Sequence, residues 1–264
     1  LEVVSFLASE CDADVGNIDN SGCGVLHDVA TRGKYAMLGV IIPHLYDLDI
    51  QNSSGESALH LAVAGKHAEC VRLLILAACD SNLIDSFGRT ALHHSVFDGQ
   101  IQISDLIASG DTDLTIRDED GDTALHAAVI TGNFEITKCL LGNGADHSIR
   151  NDHGDQPAHL AARKNKPKCL RILMEYEANM NMKNFDGRTP LGEARINNNR
   201  ECVHLFESLF INEAEAKNKV KVEKRRLALL NGQQVPEDAQ EIDDPTCARK
   251  QADWRITVPV TDVA

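Results

Sequence analysis

Five histidines, His27, His60, His93, His126 and His159, stand 33 residues apart, each at the end of a hexapeptide of the type GDTALH. An imidazole can ligate a metal, act as a general base or tie down its own backbone. The companions that catalysis needs are missing. There is no G-x-S-x-G elbow, phosphate loop or H-E-x-x-H. His93 and His94 are adjacent rather than four apart, so on a helix their side chains diverge. Eight cysteines include no C-x-x-C pair and match no zinc-ligand spacing. Asp and Glu concentrate in turns, where turn and cap chemistry is their ordinary use. These residues predict no enzymatic activity, no cofactor and no metal.

The elements that hold the histidines repeat with them. GCGVLH begins at Gly22, GESALH at Gly55, GRTALH at Gly88, GDTALH at Gly121, GDQPAH at Gly154 and GRTPLG at Gly187, with no insertion or deletion between them. In the unit from Gly121 to His153, the glycine sits in a polar turn, RDEDGD, that needs a positive φ. A first helix follows with Ala124, Leu125, Ala127 and Ala128. Thr131, Gly132 and Asn133 break it, and a second helix carries Ile136, Cys139 and Leu140 before stopping at Gly144. Neither apolar stripe can be buried alone, so the units must stack into one continuous core.

The period and the T-A-L-H-x-A signature resemble the ankyrin repeat. The resemblance covers six full units, and residues 1–21 look like the second half of a further one with an extra residue near Cys11. It implies an all-α ankyrin-repeat solenoid of helix-turn-helix units joined by β-hairpin-like tips, followed by a C-terminal helix and an extended tail. It also implies that the signature Thr and His form a local clip: Thr90 with His93 and Thr123 with His126, with Ser57 and His60 keeping the same chemistry. Gly24 removes the hydroxyl beside His27, and Gln156 replaces it beside His159. Stacked helices lie roughly 8–10 Å apart, whereas zinc needs nitrogens about 2 Å from one centre. One histidine per layer cannot converge, so the column is structural.

Composition agrees. The chain has 264 residues, 43% apolar and 25% charged, enough for a sizeable core. Aromatics are only 4%, which leaves Leu, Ile, Val and Ala to fill stacked small helices. Cys70, Cys169 and Cys202 share one position on the second helix, where a free Cys packs as a small hydrophobe. Reduced thiols fit the cytoplasm or nucleus. The longest apolar run, LLILAAC, is too short to cross a membrane. A net charge of −14 repels phosphates, so no direct nucleic-acid binding is expected, and it attracts basic partners. The opening LEVVSFLASE lacks Met and any signal pattern, so Leu1 is expected to be a cut point within a longer chain.

Departures from the repeat mark local breaks. Pro43 should kink or shorten the second helix of the first unit, and Gly110 should stop that of the third unit early. Pro167 opens a second helix, where proline is harmless. The last unit loses its histidine to Gly192, as a terminal cap often does.

Ankyrin domains generally act as interaction modules whose partners meet a concave side of tips and first helices. Carried onto this chain, that side holds Asp118, Glu119, Asp120 and Asp122 on one tip and Asp152 and Asp155 on the next. Arg89 and Arg188 flank them, and Phe87 and Phe185 occupy tips where the fold needs no aromatic ring. The acids are either solvated turns or an acidic saddle that steers a basic segment, with Phe87 or Phe185 as its anchor.

The repeats are expected to end near residue 210. Residues 211–232 read as a basic amphipathic helix with Lys217, Lys219, Lys221, Lys224, Arg225 and Arg226, and Val220, Glu223, Leu227 and Leu230 near one face. A cap on the last repeat is the favoured reading, a targeting signal the other. Residues 233–264 read as an acidic linker and a strand-like end whose Trp254 could dock on the solenoid or a partner. The functional expectation is a protein-interaction scaffold or regulatory module. The alternatives are an IκB-like inhibitor masking a basic segment of a transcription factor, or the regulatory domain of a larger enzyme or channel.

Overall fold

A computed structural model gives the architecture and describes residues 17–209 and 219–223. Each unit begins in a polar tip that turns at its repeat glycine. The tip glycines, from Gly22 to Gly187, all hold φ between 71° and 76°. At Gly55 a Cβ would also lie 2.9 Å from the Ser86 amide, so left-handed backbone and close approach both require glycine there. Successive tips are joined by single backbone hydrogen bonds, such as Ser86 N to Ser54 O at 2.9 Å and Glu119 N to Phe87 O at 3.2 Å. Among the described residues there is no strand, only two isolated antiparallel bridges, Ile18 to Gly24 and Arg117 to Thr123.

A short first helix follows each tip: α1 (Val25–Thr31), α3 (Ala58–Ala64), α5 (Ala91–Phe97), α7 (Ala124–Thr131), α9 (Pro157–Arg163) and α11 (Pro190–Ile196). Five second helices run between them: α2 (Tyr35–Ile41), α4 (Ala68–Leu76), α6 (Ile101–Ala108), α8 (Phe134–Gly142) and α10 (Pro167–Glu175). From α1 to α9 the first helices pack on one another, and from α2 to α10 the second helices do the same. The core is therefore built from columns of one repeat position. Leu59, Leu92 and Leu125 form one column, and Leu74, Ile107, Leu140 and Leu173 another, all essentially closed to solvent. Cys70 and Cys169 fill the expected second-helix column. All six cysteines among the described residues are free.

The departures act as their chemistry requires. α2 stops at Ile41, and Ile42–His44 continues as a 3₁₀ turn containing Pro43. α6 ends at Ala108, one position before the matching ends Leu76, Gly142 and Glu175. Pro167 is the first residue of α10. Gly144 is left-handed, with φ 88°.

The chain divides into two compact units, Leu1–Glu193 and Ala194–Ala264, a division that falls within α11. In the second unit, residues 200–209 are helical and bury Cys202 and Phe206. Residues 219–223 are also helical, with Val220 58% exposed. The N-terminal half repeat before residue 17, most of the basic segment and the whole tail with Trp254 lie outside the described residues. No helix among the described residues is long and apolar enough to cross a membrane.

Candidate functional site

Four of the five histidines, His60, His93, His126 and His159, are buried bridges, and His27 is buried but its ring bonds only within its own turn. His93 Nδ1 accepts from the Thr90 amide at 3.2 Å and lies 2.8 Å from Thr90 Oγ1. His126 makes the same pair with Thr123, at 3.2 and 2.9 Å, and His60 with Ser57, at 3.2 and 3.0 Å. Where the hydroxyl is missing, the amide alone remains: Gly24 N donates to His27 Nδ1 at 3.1 Å, and Gln156 N to His159 Nδ1 at 3.1 Å. With Nδ1 accepting, the neutral ring carries its proton on Nε2. Nε2 then faces a carbonyl of the next tip: Arg89 O at 3.0 Å from His60, Asp122 O at 3.3 Å from His93, Asp155 O at 3.1 Å from His126 and Arg188 O at 3.2 Å from His159. Sequence spacing missed this second bond, because its acceptor lies 29 residues away in the following unit. Burial is the main cause that pushes His93 and His126 down to about 4, and it lowers His60 and His159 in the same direction.

The tips do not expose all the acids expected there. Asp118, Asp122 and Asp155 are buried, at 8%, 8% and 0% exposure. Asp118 Oδ1 accepts from the Asp120 and Asp122 amides, both at 3.0 Å, and so ties its own turn. Asp85, Asn52 and Asn151 fill the same role in their tips. Asp122 accepts from Asn151 Nδ2 at 2.8 Å, and Asp155 from Asn184 Nδ2 at 2.8 Å. The physical reason differs between them: the free amides of its own glycine turn draw Asp118 out of water, whereas the asparagine of the following tip draws in Asp122 and Asp155. The exposed acids are Glu119, Asp120 and Asp152, with Arg117 bonded to Asp152.

Phe87 and Phe185 are exposed as expected, at 56% and 71%. Arg89 is drawn into the fold. Its guanidinium lies 4.9 Å from the Phe97 ring centroid, and its Nε is 3.7 Å from Asp118. Arg188 sits near Asp186 and near the buried Glu193, at 3.5 and 3.6 Å. Arg163, which sequence reasoning did not single out, bridges Asp155 at 2.6 Å and Glu193 at 3.1 Å. Its signal in the sequence was the arginine ending an otherwise apolar first helix, PAHLAAR.

Cys139 differs from the core cysteines. It is half-buried, its thiol donates to Asp105 at 3.0 Å, and burial first and then that carboxylate push it up to about 12. No group of three or more His, Cys, Asp or Glu side chains among the described residues could hold a metal ion.

This geometry has known relatives. The ankyrin repeat domain of Bcl-3, described as a unique member of the IkappaB protein family, superposes with a TM-score of 0.67 at 28% identity, covering 72% of this chain and 87% of that one. The nuclear factor NF-kappa-B p105 subunit of Gallus gallus is 34% identical over 84 residues. That match takes in 31% of this chain, and the chain spans only 8% of that relative's length. A family model described as "Ankyrin repeats (3 copies)" matches in overlapping stretches, residues 1–85, 26–118, 66–151, 105–184 and 125–218. Those stretches cover most of the sequence, and the chain belongs to the ankyrin-repeat family, a family of protein-interaction modules.

Proposed function

We propose that this chain binds a protein partner on the face made by its tips and first helices. Phe87 and Phe185 serve as apolar anchors, and Glu119, Asp120 and Asp152 steer a basic segment between them. The observation that carries the reading is the exposure of two phenylalanines on the third and sixth tips, where neither ring fills the core. The three exposed carboxylates lie on the tips between them. The work proposed for the chain is recognition rather than catalysis, in the cytoplasm or nucleus.

A more specific version follows from the likeness to Bcl-3 and the p105 subunit. In it the partner is a transcription factor, and the chain masks a basic segment in the manner of an IκB-like inhibitor. A regulatory segment of a larger enzyme or channel is the other reading that this family allows.

The test is a pull-down from cell extract with residues 1–264, beside two variants checked by circular dichroism. One carries Glu119→Ser, Asp120→Ser and Asp152→Ser, and the other Phe87→Ala and Phe185→Ala. Loss of one partner by both folded variants is the expected result. Retention by both would overturn the assignment of this face. Tight binding of a lysine- and arginine-rich nuclear-localisation peptide, lost in the acid variant, selects the IκB-like version.

A further inference from the structure

Asp122 and Asp155 occupy the same place, the first residue after a repeat glycine. Their surroundings match on one side. Oδ1 of each accepts from the tip asparagine of the next unit, Asn151 or Asn184, at 2.8 Å. On the other side they differ. Asp155 Oδ2 lies 2.6 Å from Arg163 Nη2, and Arg163 is the ninth residue after its repeat glycine. In the unit of Asp122 the ninth residue is Ile130.

The first and ninth positions also meet one unit earlier, where the Arg89 guanidinium stands 4.9 Å from the Phe97 ring. The units on both sides therefore place a cation in this spot, once from the first position and once from the ninth. The unit between them places none. Among the described residues no Lys or Arg lies within ion-pair reach of Asp122: Arg89 turns to Asp118, and Arg117 is held by Gly121 O and Asp152.

The other charged and titratable neighbours do not compensate. Asp118 and Asp120 share the tip of Asp122, Asp155 faces it from the next tip, and His93 reaches its carbonyl as a neutral ring. Burial and then these three carboxylates push Asp122 up to about 6, against the opposing Asn151 bond. A buried carboxylate with an amide on one oxygen and no cation on the other is an uncompensated charge.

We propose that Asp122 receives an arginine side chain of the protein partner, whose guanidinium takes at Asp122 the place that Arg163 takes at Asp155. This rests on the reading of the tips and first helices as a partner-binding face. Arginine fits better than lysine, because a planar guanidinium pairs with a carboxylate through a fixed donor fork and is the less strongly hydrated cation. Ile130 is partly exposed and offers its methyl groups to the arginine stem. The class of partner is thus a segment that presents arginine, not merely net positive charge.

The test uses residues 1–264 with ¹³C-labelled aspartate and reads the Asp122 carboxyl by NMR. Ile130→Arg supplies the missing cation within the chain. It is expected to lower the Asp122 titration midpoint by at least about one pH unit, as an adjacent opposite charge does. Ile130→Gln, similar in reach but uncharged, is expected to leave the midpoint in place. In the unsubstituted chain, N-acetylarginine amide is expected to shift the Asp122 signal saturably. The citrulline analogue should not, and Ile130→Arg should abolish the response. An unmoved midpoint in folded Ile130→Arg overturns the proposal, and so does an arginine response no larger at Asp122 than at Asp152. These variants leave Glu119, Asp120, Asp152, Phe87 and Phe185 intact, so failure here is separate from failure of the general binding face.

Discussion

At His126 both ring nitrogens are engaged with no solvent exposure, Nδ1 by Thr123 and Nε2 by the Asp155 carbonyl one unit on. Glutamine cannot accept at one end and donate at the other over the same span. His126→Gln is therefore expected to cost about 3 kcal/mol, the sum of buried groups left without partners, measured as a lower urea midpoint. Protonation makes the same cut, because a charged ring has no acceptor at Nδ1. His93 and His126, lowered to about 4 from an ordinary 6.5, bind protons more readily in the unfolded chain. Their contribution is complete above the unfolded value and is lost as pH falls from 6.5 toward 4, roughly 3 kcal/mol for each at the limit. Asp122, raised to about 6, acts in the opposite sense: its contribution is complete below 3.8 and is lost as pH rises through 6. Urea midpoints between pH 4 and 8 are expected to show a steeper acid loss in Asp122→Asn than in the parent chain. An equal slope would mean that Asp122 is not protonated in the folded state over that range. The Thr–His half of the clip was legible, because capping spacing is local. The burial of Asp118, Asp122 and Asp155 was not, because a polar tip does not declare which carboxylates turn inward, to an amide of their own turn or to the asparagine of the next tip.

The helices of a unit are mostly seven to nine residues long, too short to hold themselves without packing, so the turns between them carry much of the local instruction. Each second helix that runs its full length ends before a left-handed residue, and the three cases compare the same turn with different side chains. Gly144 takes it at φ 88°, whereas Ala78 and Glu177 take it at 59° and 60°. A Cβ in that region meets the following carbonyl, a strain that glycine avoids. Ala78→Gly and Glu177→Gly are each expected to raise stability by about 0.5–1 kcal/mol, the strain relieved exceeding the added unfolded-state entropy. Gly144→Ala is expected to lower it by a similar amount. Thermal melts of the three variants settle the matter, and a loss in Glu177→Gly would show that entropy outweighs strain at this turn. The positions of these helices were readable because a fixed 33-residue period aligns six copies of each signal, including the early stop before Gly110. Contacts that pair unlike residues across units, such as Arg163 with Glu193, leave no period to find.

Across the whole molecule the charge of −14 attracts any basic partner from a distance, and the exposed charges, which a partner approaches most closely, add most to the local pull. Asp118, Asp122 and Asp155 are buried, so the tip acids that an approaching partner would meet first are Glu119, Asp120 and Asp152, the last of them bonded to Arg117. Phe87 and Phe185 bear on a different quantity. An apolar ring buried on binding holds a formed complex, and its loss appears in the dissociation rate. Removing the three exposed acids is therefore expected to slow association by about tenfold at low salt while leaving dissociation nearly unchanged. Raising salt to 0.5 M should erase that difference, since the screening length then falls to a few ångströms, between about 3 Å at 1 M and 10 Å at 0.1 M. Phe87→Ala with Phe185→Ala should instead speed dissociation at every salt concentration. Surface plasmon resonance with the captured partner reads both rates. An association rate insensitive to salt in the unsubstituted chain would remove the acidic tips from recognition, whereas a salt-dependent rate that survives loss of all three would move the steering charge to another face of the molecule.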